Sequence, residues 1–241
     1  MATNISFYQQ IFPLLALMPI VASCFLALVL AKGEVCPGQR KRITENMISI
    51  WAVLALAMMM GVEAYAPMLT LVFGGCAVVI GIALNLLQAR LEGKRAIPSQ
   101  WLRLPIILAV ISGLLLLWQQ QQPLLLLSAI LLGAVFAHVI LLRAKYRLQA
   151  FNVILPLVGV VCSVLLMLGL LLQAWLVASP AQLAGVDNFV IYRALLLLTA
   201  LAIWAMPLFN KQTFTPNLVS IATVLLLCSE VIAMGISATL S

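Results

Sequence analysis

Long apolar runs separated by short polar stretches fill this chain of 241 residues. Crossing the hydrocarbon of a bilayer takes about 20 apolar residues. By that measure the pattern predicts eight helices, at 11–32, 47–65, 67–89, 104–119, 123–143, 151–177, 188–209 and 216–239. The second and third are joined by the tight turn Ala64-Tyr65-Ala66-Pro67, where proline suits the start of a helix. The fourth and fifth meet at Gln119 to Gln122, followed by Pro123. No internal repeat stands out and no long linker divides the chain. The expectation is an all-α, polytopic membrane bundle of eight transmembrane helices, in one integral-membrane domain over 1–241.

Composition supports this reading and charge orients it. With 65% hydrophobic and 8% charged residues, a soluble domain would have too little polar surface to offer water. The net charge of +7 sits in alternate loops, so it reports topology and not affinity for nucleic acid. Lys32, Arg40, Lys41 and Arg42 lie between spans one and two; Arg90, Lys94, Arg95 and Arg103 lie between three and four. Arg143, Lys145 and Arg147 follow span five, and Lys211 follows span seven. The other loops carry no lysine or arginine. The positive-inside rule then places both termini on the periplasmic side of a bacterial inner (cytoplasmic) membrane. The N-terminal segment MATNISFYQQ has no basic region, and the run after it is long, so a retained span is expected instead of a cleaved signal. The five cysteines form no CxxC or Cys/His spacing, so no metal site is expected in this chain.

Two charges stand inside hydrocarbon-length runs. Arg193 opens the seventh span and Glu230 lies within the eighth. Each would cost roughly 2.5–3.5 kcal/mol unpaired at a helix centre, so such residues face a partner charge, a cavity or a ligand. Counting about 1.5 Å per residue puts Arg193 roughly 8 Å and Glu230 about 12–15 Å below the same outer boundary. Glu63, at the outer end of the second span, completes the candidate set. His138, the single histidine, belongs to the inner end of the fifth span and reads as a satisfied polar residue; one histidine excludes a bis-histidine haem within this chain. Met58, Met59 and Met60 read as apolar filler, and Asn85 and Gln88 as makers of helix–helix hydrogen bonds. Trp51, Trp101, Trp118, Trp175 and Trp204 read as an interfacial aromatic belt. No nucleophile elbow, P-loop or paired metal carboxylates occur, so catalysis by this chain alone is not supported. A carboxylate beside a cation in an apolar bundle suits a quinol headgroup, with the carboxylate taking up its proton. It equally suits a static ion pair or proton movement in a transporter.

The ending YRALLLLTALAIWAMPLF, then SIATVLLLCSEVIAMG, resembles the last two helices of the membrane anchor subunit of bacterial dimethyl sulfoxide reductase. FLALVLAKGE at the end of the first span, and the stretch from Trp51 to Pro67, resemble that family too. The resemblance implies eight helices with periplasmic termini, in an anchor that oxidises menaquinol and carries no haem. Its partners would be an iron–sulfur electron-transfer subunit and a molybdopterin catalytic subunit, which hold the iron–sulfur clusters and the molybdopterin. Arg193 and Glu230 fall at the family's arginine and glutamate, giving Arg193, Glu230 and Glu63 as quinol-binding residues, with Glu230 and Glu63 handling protons. The family's histidine near the end of the second span is here Glu63 or Ala64, and Met234 replaces an arginine. The alternative, without redox partners, is a small proton-coupled transporter or a membrane assembly factor.

Overall fold

Within hydrocarbon every backbone N–H and C=O must be satisfied inside its own segment, so an apolar run of this length becomes a helix. The computed structural model describes residues 7–240, except 34, 93–95, 146–148, 178–179 and 211–212, and omits the side chains of 177–188 and 234–240 among others. Lys94, Arg95, Arg147 and Lys211 of the charge pattern, and the side chains of Asp187 and Met234, therefore lie outside the described residues. Nine helices are described: α1 (Phe7–Lys32), α2 (Pro37–Asn46), α3 (Ile48–Glu63), α4 (Met68–Arg90), α5 (Ser99–Gln120), α6 (Pro123–Arg143), α7 (Gln149–Val177), α8 (Pro180–Asn210) and α9 (Pro216–Leu240). Among the described residues eight stretches are long and apolar enough to cross a membrane, α2 and α3 counting together as one. No strand occurs among the described residues.

Two elements depart from the pattern read from hydropathy. The first connection holds the polar helix α2, joined to α3 through Met47, which keeps right-handed helical angles. α8 begins at Pro180, eight residues before the predicted start at 188, with proline as its first residue. In both cases a helix continues past the hydrocarbon boundary, which apolar residues mark and backbone hydrogen bonding does not.

The packing order reveals a repeat. α1 packs on α3, α3 on α4, α4 on α5, and α5 back on α1, closing a ring of four spans. α6, α7, α8 and α9 close a second ring in the same order. The rings join chiefly where α1 meets α6, the first span of each. There Gly133 lies against Val21 and Ala22, so that a Cβ on Gly133 would stand 2.6 Å from Val21 Cβ and 3.1 Å from Ala22 N.

Aligning Ala22 with Gly133 brings α1 and α6 into register, and buried positions coincide: Leu14 with Leu125, Leu26 with Ala137, Val29 with Ile140. α5 and α9 align on Ser112 and Ser229, each the fourteenth residue of its helix. Leu102, Pro105, Ile106, Ala109 and Gly113 then meet Val219, Ala222, Thr223, Leu226 and Glu230, and all ten are buried. α4 and α8 align through Thr70 and Arg193, with Gly74 on Leu197, Ala77 on Ala200 and Gly81 on Trp204, again all buried. The chain carries the same four-helix arrangement twice in parallel, a repeat of packing that residue identity conceals.

Because the ring junction contains backbone, it has no flexible atom to yield. Gly133→Leu is expected to destabilise the protein by about 1–3 kcal/mol through overpacking. Gly75→Leu, where nothing lies within 4 Å of a Cβ, should leave the unfolding midpoint in mild detergent within error. Equal midpoints for the two variants would show that the α1–α6 seam is not tight.

Candidate functional site

Ser128 on α6, Arg193 on α8 and Glu230 on α9 meet inside the second ring. Arg193 Nη2 donates to Glu230 Oε1 at 3.2 Å, and Ser128 Oγ donates to Oε2 in a short contact. Arg193 is 1% and Glu230 2% exposed, so the pair is removed from lipid and water alike. Ser229 Oγ donates to Arg193 O at 3.3 Å, tying α9 to the backbone of α8 beside the pair. The site is neutral in sum, the condition under which two buried charges are tolerated. Sequence reasoning brings Arg193 and Glu230 to one place but misses Ser128. The only signal for it was a single hydroxyl in the run LLLLSAILL.

The guanidinium is under-used. Neither Nε nor Nη1 of Arg193 has a hydrogen-bond partner among the described residues. A buried donor left unmade costs about 1–3 kcal/mol, and here one guanidinium carries two of them. On the membrane-facing side of the same turns lies a groove of about 450 Å³, lined by Phe189, Tyr192, Leu195, Leu196, Thr199 and Ile232. Its walls are almost wholly apolar. Tyr192 precedes Arg193 in α8, and Ile232 stands two residues beyond Glu230 in α9.

The first ring shows what this junction looks like without charges. Leu17, Thr70 and Gly113 occupy the positions of Ser128, Arg193 and Glu230. Ser112 Oγ donates to Thr70 O at 2.8 Å, the same α5-to-α4 tie that Ser229 makes to Arg193. A Cβ on Gly113 would meet Leu17 at 3.3 Å, so an apolar side chain fills the space that the Glu230 carboxylate and Ser128 share in the second ring. The scaffold closes this three-helix junction with no ion pair, and the charges are an addition to one of two equivalent places.

Glu63 does not join the site. It is exposed at the C-terminal end of α3. α3 packs on α1, α2 and α4, whereas α9 packs on α8, α6 and, slightly, α1. The structure brings Arg193 and Glu230 together and leaves Glu63 on the other ring.

Tryptophan corrects a further expectation. Trp101, Trp118 and Trp175 are exposed, but Trp51 and Trp204 are fully buried, because glycines make room for their indoles. Trp51 on α3 lies over Gly81 on α4, and Trp204 on α8 lies over Gly159 on α7. Aligning Trp51 with Gly159 also matches Leu54 to Cys162 and Met58 to Leu166, all buried. The two rings therefore use one large-on-small contact with the partners exchanged. Trp204 Nε1 donates to His138 Nδ1 at 2.8 Å, which places the imidazole proton on Nε2. That Nε2 has no hydrogen-bond partner among the described residues, and the Phe214 ring lies 4.9 Å from the imidazole. His138 is thus half satisfied and sits ten residues beyond Ser128 along α6, or roughly 15 Å.

Asn85 makes the expected hydrogen bond between helices, whereas Gln88 instead ties α4 to the connection before α5. Asn85 Nδ2 donates to Thr44 O at 3.1 Å, and Gln88 Oε1 accepts from Ile97 N at 2.8 Å. Lys41 Nζ donates to Leu91 O at 2.7 Å, which sets the first and third connections at one end of the bundle. No group of three metal-ligating side chains occurs among the described residues.

Comparison with known families bears on the resemblance to dimethyl sulfoxide reductase anchors. The family whose profile matches residues 1–234 is described as an integral membrane domain. That is a different family from the reductase anchors, and the likeness over the last two helices does not carry membership. Apolar helices drawn from Leu, Ala, Ile and Val resemble one another readily, and the shared arginine and glutamate answer the same need for pairing in hydrocarbon. No curated protein matches the chain. No solved structure matches it either.

Proposed function

This chain belongs to that family of integral membrane domains, and we propose that its second ring is a binding site for a lipophilic molecule with a neutral, oxygen-bearing headgroup of the quinone and quinol class. The observation that carries this reading is the charged junction itself. It stands where the first ring manages with Leu17, Thr70 and Gly113, and it leaves Arg193 Nε and Nη1 without acceptors. Separate headgroup oxygens would supply acceptors for those two donors, and a headgroup hydroxyl would donate to Glu230. The neutral class is favoured because Glu230 already balances Arg193, so an anionic ligand would add an uncompensated charge in hydrocarbon. The apolar groove beside Tyr192 and Ile232 accommodates a hydrocarbon tail.

Glu230 is the group for proton exchange with the headgroup, Ser128 orients its carboxylate, and Arg193 positions the ligand. Glu63 has no part in this reading. By the positive-inside rule the site lies in the half of the membrane away from the basic connections. Binding also fits the architecture better than transport between two rocking halves. In transporters built from parallel repeats the substrate site lies where the repeats meet. Here that seam holds Ala22 against Gly133, and the polar cluster lies within one ring.

The test is retention of a naphthoquinone with an isoprenoid tail by the full-length protein in phosphatidylcholine nanodiscs, quantified after extraction. About one molecule per chain is expected. Arg193→Leu with Glu230→Leu should lower the affinity by at least about tenfold, since two or more hydrogen bonds at about 1 kcal/mol each are lost. Unchanged retention in the double variant, or tighter retention of a fatty acid than of the quinone, would sink the reading.

A further inference from the structure

The two rings close one wall differently. With Trp51 aligned on Gly159, Gly61 and Ala64 near the end of α3 answer Gly169 and Leu172 on α7. Gly61 and Ala64 are buried, whereas Gly169 is only half-buried and Leu172 is 56% exposed. Beyond Leu166 no described side chain of α7 is buried. α7 also packs on α8 more sparsely than α3 packs on α4.

One residue on α8 accounts for the difference at this level. In the first ring Leu71 reaches across from α4, so that a Cβ on Gly61 would stand 2.8 Å from Leu71 Cδ2. In the register of Thr70 and Arg193, Leu71 is answered by Ala194, whose side chain is a single methyl. The three atoms nearest a Cβ on Gly169 all belong to Leu124 on α6, and none to α8. The seam between α7 and α8 therefore lacks the side chain that closes its counterpart. It lies level with the charged junction: counting from the Trp204–Gly159 contact toward the α7–α8 connection, Arg193 and Leu170 are reached together.

We infer that this seam, beside Ala194, is the passage by which the ligand headgroup moves between the bilayer and the Arg193–Glu230 pair. The inference rests on the binding site proposed above and adds its way in. Arg193 and Glu230 are buried behind the seam, so the helices part to admit a headgroup. They part with least loss of packing where no leucine bridges them. The other flank of α8 offers no such path. There Ser229 ties α9 to the Arg193 carbonyl, and the groove beside Tyr192 and Ile232 holds hydrocarbon, but neither member of the pair lines it.

The experiment uses the full-length protein in phosphatidylcholine nanodiscs, loaded with a deuterium-labelled naphthoquinone that carries an isoprenoid tail. Release of the label is followed after excess unlabelled compound is added. Ala194→Leu restores the first ring's residue and should slow release by about fivefold or more, through the contacts that must then break. The amount retained at equilibrium and the unfolding midpoint should hold. Ala194→Val should slow release less, and Leu71→Ala, the converse change in the first ring, should leave it as in the wild type. A lower midpoint for Ala194→Leu would overturn the inference whether or not ligand binds, by showing that the seam has no room. Release slowed by Thr199→Phe, which fills the groove, and not by Ala194→Leu would overturn it too, by moving the way in to the α9 flank. No retention by the wild type would instead remove the binding site itself, and the passage with it.

Discussion

Arg193→Leu, made alone, is expected to be among the most damaging single changes in this protein. It leaves the Glu230 carboxylate at 2% exposure with Ser128 as its remaining donor. Removing one partner of a buried pair costs about 3–5 kcal/mol, because the other charge remains without compensation. The triple variant Ser128→Leu, Arg193→Thr, Glu230→Gly is expected to recover most of that loss, although it removes more polar contacts. It installs at the second junction the residues with which the first ring closes the same space. The measurement is the unfolding free energy of the protein in bilayers, for wild type, single and triple variants side by side. Recovery in the triple variant would mean that the charges are dispensable to the fold and serve something else. A triple variant no more stable than Arg193→Leu would mean that the second ring depends on its ion pair, and the case for a ligand would lose its main support.

The number and placement of the spans were legible because hydrocarbon thickness sets a length and hydropathy marks it. Arg193 and Glu230 were legible for the same reason, since a charge in an apolar run stands out against its neighbours. α2 was not legible as a helix, because its polar residues carry a topology signal that reads equally well as loop. Ser128 was hidden because one hydroxyl in an apolar helix has no pattern around it. The repeat was hidden more deeply. Its matched positions conserve burial and not residue type: Gly113 answers Glu230, Thr70 answers Arg193, and Trp51 answers Gly159. Glu63 shows the reverse error, where distance along the membrane normal suggested a neighbour and lateral packing put it on the other ring. Depth can be counted from a sequence of spans; which helix stands beside which cannot.

The exchange of large and small partners gives the second prediction. Trp204 fills the space above Gly159 and donates to His138, so Trp204→Gly should cost about 3–5 kcal/mol in lost packing, with His138 Nδ1 left unmade in addition. Gly159→Trp against the native Trp204 places two indoles in one space, and little folded protein is expected. Together, Gly159→Trp and Trp204→Gly copy the arrangement of Trp51 over Gly81 in the first ring, and the pair should be more stable than either single variant. His138 then has no donor. Its counterpart in register, Ala27 on α1, indicates the remedy, and adding His138→Ala should raise the unfolding midpoint further. The strong coupling expected between positions 159 and 204 follows from direct contact, and any well-packed pair would show it. The gain from His138→Ala is the discriminating part. The first ring predicts it, because there the same contact is built without an imidazole. If His138→Ala instead lowers the midpoint in the exchanged background, the imidazole holds this end of the ring through Asn152 and Phe214. The equivalence of the two rings would then stop short of this end of the bundle.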